Sequence, residues 1–271
     1  MTLRLLAVHA HPDDESSKGA ATLARYATEG VDVLVATCTG GERGDILNPA
    51  LDREDVRRDL PAVRRREMAE AARILGVRQT FLGHLDSGLD QPSPDGSFAQ
   101  IPLPAATAPL VQLMRDFRPQ VVVTYDETGG YPHPDHIRTH EVTTAAFAAT
   151  DDGTPRKLYY LATLSRSWFE AIHNATLAAG KESMMGPVLE ELPPADTLTT
   201  TARIRCAEHF ATRDAALRAH ATQMDPAHPF FAHSREIERN TWPWEDYHLA
   251  RVSGLVPVAE GVEEDLFAGL R

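Results

Sequence analysis

The order of apolar and polar residues along this chain alternates between two periods. Leu3–Val8 is apolar apart from Arg4, as expected of a strand covered on both faces along most of its length. Ala20, Leu23, Ala24 and Ala27 then recur at helical spacing, with Gly30 placed to end the helix. Val31–Thr37 reads as a second strand. A charged loop leads to Pro61, suited to a first helical turn, and to a helix carrying Val63, Met68, Ala71, Ala72 and Leu75 before Gly76. Thr80–Leu82 is a short strand, and Asp86 to Pro104 is loop-like, with Pro92, Pro94, Gly96, Pro102 and Pro104. Thr107–Phe117 predicts a helix, Gln120–Thr124 a fourth strand, and Lys157–Leu161 a fifth, with a helix from about His136 to Ala149 between them. Residues 165 to 200 are less regular and are broken by Pro193-Pro194. Thr201–His220 is helical by pattern, and the remainder reads as a tail of loops.

Strand and helix alternating in this way predict an α/β fold, a Rossmann-like, mostly parallel sheet flanked by helices with right-handed crossovers. A smaller C-terminal portion, irregular or helical, follows. The expected division is a metal-binding catalytic core over residues 1–162 and a portion over 163–271 that completes the substrate pocket, within one continuous domain. At 271 residues the chain can bury a full core.

The candidate chemistry sits where strands end. His9-Ala10-His11-Pro12-Asp13-Asp14-Glu15 follows the first strand, and Tyr131-Pro132-His133-Pro134-Asp135-His136 follows the fourth. In an open parallel sheet, ligands bind beyond the carboxyl ends of the strands, so the two clusters can meet despite their separation. A hydrolytic zinc site takes three protein ligands and keeps one position open for water. His11, one of Asp13 and Asp14, and one later histidine would supply the set. The other aspartate can then serve as general base, because adjacent side chains point in different directions. The remaining histidine of the second cluster, if protonated, can stabilise an oxyanion or protonate a leaving amine, and Asp135 would support that protonated state. An imidazole and carboxylate set also suits Fe2+. No Gly-x-Gly-x-x-Gly follows the first strand, which speaks against a Rossmann-like module that only binds a nucleotide or sugar.

These motifs resemble those of the zinc-dependent LmbE-like or PIG-L deacetylase family. The likeness extends through Thr39-Gly40-Gly41-Glu42-Arg43-Gly44, Asp86-Ser87-Gly88 and Ala219-His220-Ala221-Thr222-Gln223. It implies a Rossmann-like fold, Zn2+ held by His11, Asp14 and His136, and Asp13 as general base. It also implies His133 as the electrostatic or acid group, Asp135 tuning it, and Tyr131 as a mobile residue that polarises the carbonyl. Within the family the chain resembles the mycothiol branch, whose substrates are amides on a glucosaminyl-inositol scaffold. Glu15-Ser16-Ser17-Lys18-Gly19 and Gly41–Pro49 are similar to those members that cut the cysteinyl amide of mycothiol S-conjugates. The alternatives are deacetylation of N-acetylglucosaminyl-inositol, or of another N-acetylglucosamine, and an amidase of natural-product biosynthesis. Residues 165 to 200 depart from the pattern, and substrate selection could differ there.

The expected partner is thus a small mycothiol conjugate or a related glucosaminyl-inositol amide, with Lys18, Arg64, Asp86, Asp45 and His220 as substrate contacts. His9 reads as a second-sphere or core histidine, while His228 and His233 read as solvated. A formal net charge of −12 argues against nucleic acid as a partner. No apolar run approaches a membrane span, no signal peptide is evident, and Cys38 and Cys206 form no framework, so a cytoplasmic location is expected.

Overall fold

The computed structural model describes residues 2–89, 92–150, 153–231, 233–257 and 260–271. Residues 90–91 of the loop expected over 86–104, and residues 232 and 258–259 of the expected tail, lie outside the described residues. The chain runs β1 (Arg4–His9), α1 (Asp14–Ser17), α2 (Ala20–Thr28), β2 (Asp32–Thr39), α3 (Glu54–Arg58), α4 (Leu60–Leu75) and β3 (Arg78–His84). It continues through α5 (Leu103–Phe117), β4 (Val121–Thr124), α6 (Pro134–Ala149) and β5 (Lys157–Leu161). Then come α7 (Arg166–Ala178), α8 (Met185–Glu191), β6 (Ala202–Arg205), α9 (Phe210–Ala219), α10 (Arg235–Thr241) and β7 (Trp244–Val252).

All seven strands form one sheet in the order β3-β2-β1-β4-β5-β7-β6. The first five are parallel, and β7 pairs antiparallel with both β5 and β6. Strand alternation divides the core in two. Leu5, Ala7, Val33, Val35, Val121 and Val123 pack on one face with Leu23 and Tyr26 of α2 and Met68 of α4. Leu6, Val8, Leu34, Ala36 and Val122 pack on the other with Leu110 and Met114 of α5 and Val142 of α6. With both faces covered, the central strands must be apolar through their middles, as Leu5–Val8 is once Arg4 is passed. Each such side chain contributes roughly 1.5–3 kcal/mol on burial.

Two expectations need correction. Thr201–His220 is not one helix: β6 and a short 3-10 turn precede α9. The tail is not all loop, because it carries α10 and the nine-residue β7. Charged residues disguise β7. Glu245 and Asp246 are buried, Glu245 accepting the N–H groups of Ala21 and Thr22 and Asp246 pairing with Arg203 at 2.8 Å. The irregular stretch 165–200 contains α7 and α8. Among the described residues, no helix is long and apolar enough to cross a membrane.

The topology places the site. From β1 the chain winds outward through β2 to β3, then crosses back to β4 on the other flank of β1. The strand order therefore reverses between β1 and β4, and a crevice opens beyond their carboxyl ends. The two His/Asp clusters leave those two strands.

Candidate metal centre

After β1 the backbone turns sharply at Asp13, whose φ of 103° is uncommon for a residue with a side chain. This turn puts Asp14 at the start of α1, where its Oδ2 accepts the backbone N–H of His11 at 2.9 Å. From the other strand, α6 starts at Pro134 with His133 as its cap, and His136 lies in the first turn. The His136 Nε2 atom lies 3.3 Å from Asp14 Oδ2, and His11 Nδ1 lies 3.6 Å from the same oxygen. His11, Asp14 and His136 thus converge on one point, and all three are buried.

The donor set fits a metal ion. His136 Nδ1 lies 3.0 Å from the carbonyl oxygen of Gly129, an acceptor, so Nδ1 carries the proton and Nε2 offers a bare lone pair. That Nε2 is buried and has no hydrogen-bond partner. Gly129 is required for this approach, since a Cβ there would stand 2.6 Å from the His136 Cβ. A second donor triplet, His11, Asp86 and His133, shares His11. It fits less well, because His133 Nδ1 accepts the Asp135 N–H at 3.1 Å, which puts the ring proton on Nε2 and leaves no free lone pair for a metal.

The surroundings favour positive charge at this point. Burial disfavours protonation of His11, but hydrogen bonds to Asp135 and Asp14 outweigh it and lift the imidazole to about 10. Burial likewise opposes ionisation of Asp14, and His136 and Lys18 overcome it, holding that carboxyl well below the usual range. A cation bound among these groups would meet the demand that the His11 proton meets here.

Asp13 stands apart from the donors. Its Oδ2 accepts from Arg64 Nη2 at 3.1 Å, and burial raises its carboxyl above the ordinary value against the pull of Arg64. Arg64 is 3% exposed, and it also donates to the Gly41 carbonyl at 2.8 Å and the Pro12 carbonyl at 2.7 Å. Its guanidinium is built into the wall behind Asp13, unlike the expected sugar contact. Lys18 is similarly engaged, its Nζ lying 2.8 Å from Asp14 Oδ1.

The second cluster also differs from expectation in one pairing. The Asp135 carboxylate turns to His11 Nε2 at 3.2 Å and to the Ser87 N–H at 3.0 Å, and it makes no bond to the His133 ring. His133 Nδ1 instead accepts the Asp135 backbone N–H at 3.1 Å. Burial and the neighbouring His11 charge push His133 down to about 4, so its ring is neutral with the proton on Nε2. Tyr131 is 44% exposed, with its ring 4.4 Å from that of His136. Asp45 is exposed, and its backbone carbonyl accepts from Gln223. His220 is fully buried, 2.8 Å from Glu15 Oε1, and the other Glu15 oxygen accepts the Asp13 N–H at 3.0 Å. His9 is buried against the Tyr125 hydroxyl at 3.1 Å. His228 is exposed, whereas His233 is buried and bonded to Glu238 at 3.1 Å, not solvated.

Two residues escaped the sequence reading. Glu15 lies within the first cluster but signals nothing until His220 is seen against it. Tyr125 stacks on His136 at 4.5 Å, and its hydroxyl oxygen accepts the Ala10 N–H at 3.1 Å.

Residues 6–147 match the family model described as PIG-L, GlcNAc-PI de-N-acetylase. The chain belongs to the PIG-L family. It is 49% identical to a mycothiol S-conjugate amidase of Streptomyces coelicolor, over 99% of this chain and 98% of that protein. It is 42% identical to a 1D-myo-inositol 2-acetamido-2-deoxy-alpha-D-glucopyranoside deacetylase of Acidothermus cellulolyticus, over 100% and 96%. Among solved structures, the N,N'-diacetylchitobiose deacetylase of Pyrococcus horikoshii shares the fold, with a TM-score of 0.61 at 18% identity over 91% of this chain and 83% of that one. As a PIG-L protein with such relatives, the chain is an amide hydrolase of the amidase and deacetylase kind.

Proposed function

We propose that this PIG-L protein is a zinc-dependent amidase that hydrolyses the cysteinyl-glucosamine amide of mycothiol S-conjugates, giving a mercapturic acid and glucosaminyl-inositol. The observation that carries this reading is the near-full-length likeness to the S. coelicolor amidase, which exceeds that to the A. cellulolyticus deacetylase. His11, Asp14 and His136 would hold the metal. When bound, zinc supplies Lewis acidity to the scissile carbonyl and makes water easier to deprotonate.

The chain's own residues do the rest. Asp13 takes the proton of the attacking water, and its raised basicity and its clamp on Arg64 suit it to that task. A neutral His133 donates a hydrogen bond from Nε2–H to the developing oxyanion, a role that needs no imidazolium, and Asp13 returns the proton it took from water to the leaving amine. The Tyr131 hydroxyl, deprotonated only well above its ordinary range because burial disfavours the phenolate, stays a donor toward the carbonyl oxygen. The Asp86 carboxylate, buried 3.8 Å from His11 Nε2, holds the Arg43 N–H at 3.0 Å, and the exposed Arg43 side chain would face sugar hydroxyls.

The test is product analysis with purified, metal-loaded protein. A mycothiol-bimane conjugate should yield the bimane mercapturic acid with a higher kcat/KM than N-acetylglucosaminyl-inositol yields acetate. The opposite ranking would overturn the reading in favour of the deacetylase.

A further inference from the structure

A groove lies beside the candidate metal centre. It starts at Tyr131 and Pro132, beside the His136 ring, and runs along the loop after β5 to the segment after α8. Leu161, Leu164, Leu192 and Leu198 contribute its aliphatic surface, and each is half-buried, not fully covered. Leu164 has a φ of 57°, a left-handed conformation that a leucine adopts at a cost and that sets the loop's course along the groove.

The charged groups along this groove are spent on the protein itself. Arg166 donates to Glu170 at 2.6 Å and to the carbonyls of Leu189 and Pro193 at 3.1 Å. Asp196 caps Ser167 through its N–H and hydroxyl. Asp126 accepts from Thr128 and Gly130. The surroundings of the centre therefore differ in kind, the exposed Arg43 held beside the buried Asp86 on one hand and an aliphatic groove past Tyr131 on the other. A conjugate has the same division, a polyol on one side of its scissile amide and a thioether substituent on the other.

We infer that the Tyr131–Leu198 groove receives the sulfur substituent of the conjugate and selects uncharged, apolar adducts over small or anionic ones. The inference rests on the amidase reading and names what that site discriminates. Burial of one aromatic substituent against partly exposed aliphatic walls should favour it by about tenfold over a methyl group, the lower end of the range for a buried apolar side chain.

The experiment compares kcat/KM for S-benzyl, S-methyl and S-carboxymethyl conjugates on the wild-type protein, Leu198→Asp and Leu164→Asn. The asparagine keeps a residue that tolerates the left-handed backbone. The wild type should rank benzyl above methyl above carboxymethyl, and each variant should bring the benzyl-to-methyl ratio towards one. A ratio near one in the wild type, or a ratio unchanged in both variants, overturns the groove assignment while leaving the amidase reading intact. Should no conjugate be cleaved, the amidase reading fails by itself. Binding of N-acetyl-S-benzylcysteine against N-acetyl-S-methylcysteine, followed by calorimetry on the same proteins, then decides the groove. Tighter binding of the benzyl compound, weakened in the variants, supports it, and equal affinity overturns it.

Discussion

The five parallel strands and the antiparallel pair β7-β6 belong to one sheet, yet they use charge in opposite ways. Beyond β1 and β4, charged groups converge without full pairing: His136 keeps a bare Nε2, Asp135 an unpartnered oxygen, and Asp13 a raised carboxyl. Around β7, α9 and α10 most of the buried charges are closed into pairs, Glu245 being held instead by the N–H groups of Ala21 and Thr22. Arg213 bonds Glu238 through two nitrogens at 2.9 and 3.0 Å, and Arg235 joins Glu238 at 2.8 Å to Asp214 at 2.6 Å. Lys157 and Glu263, both nearly inaccessible, pair at 2.7 Å. Unspent charge marks where chemistry is done. Closed networks mark where the chain end is fastened to the core.

Substitutions can break this comparison. His136→Ala should lose the bound metal and with it all measurable turnover, read by metal analysis of the purified protein. Retention of stoichiometric metal would remove His136 from the centre. Asp13→Ala should keep the metal but lose about 10²–10⁴-fold in kcat, the usual worth of a positioned base. Near-normal turnover at full metal occupancy would move the base elsewhere.

In the fastened half the expectation reverses. Arg213→Ala should lower stability by about 3 kcal/mol, the lower end for a broken buried pair because Arg235 remains on Glu238. That corresponds to a fall of roughly 6–12 °C in Tm for a chain of this size. Metal content should not change, and loss of metal in a folded Arg213→Ala protein would join the two halves functionally.

The pH dependence of stability sharpens the contrast. Burial opposes ionisation of Glu238, but His233 and Arg213 hold its carboxyl far below the ordinary value. A depressed carboxyl stabilises the fold above its unfolded pKa of about 4.3 and loses that contribution as pH falls towards its folded value. Stability should therefore decline below about pH 4–5, and Glu238→Gln should flatten that decline in denaturant titrations at several pH values. An identical slope in the variant would assign acid sensitivity to other carboxyls. The smallest effect is expected at Lys18. With its ammonium on Asp14 Oδ1, Lys18→Ser should change kcat/KM for the conjugate and for N-acetylglucosaminyl-inositol by similar factors. A selective loss on the conjugate would show that the ammonium leaves Asp14 for the substrate.

The parallel half was legible in the sequence because burial on both faces forces apolar strand centres, and Leu5–Val8, Val33–Ala36 and Val121–Val123, within the predicted Leu3–Val8, Val31–Thr37 and Gln120–Thr124, announce themselves. The meeting of the two clusters followed from topology alone. β6 and β7 were not legible, since their inward positions include Glu245 and Asp246, whose partners lie on α2 and β6 and cannot be named from local pattern. The roles of Arg64 and Lys18 were hidden for a related reason. A cation near a site reads as a substrate contact until the carbonyls and carboxylates that occupy it are seen.

The bond between Glu15 and His220 has a consequence in time. The partners are 205 residues apart, and both are buried. At about 5–20 residues per second, a ribosome adds His220 roughly 10–40 s after Glu15. Throughout that interval Glu15 lacks the imidazole that it meets in the finished fold. The first strand is made early, whereas the contact that fastens Glu15 beside the Asp13 loop closes only after α9 has been made.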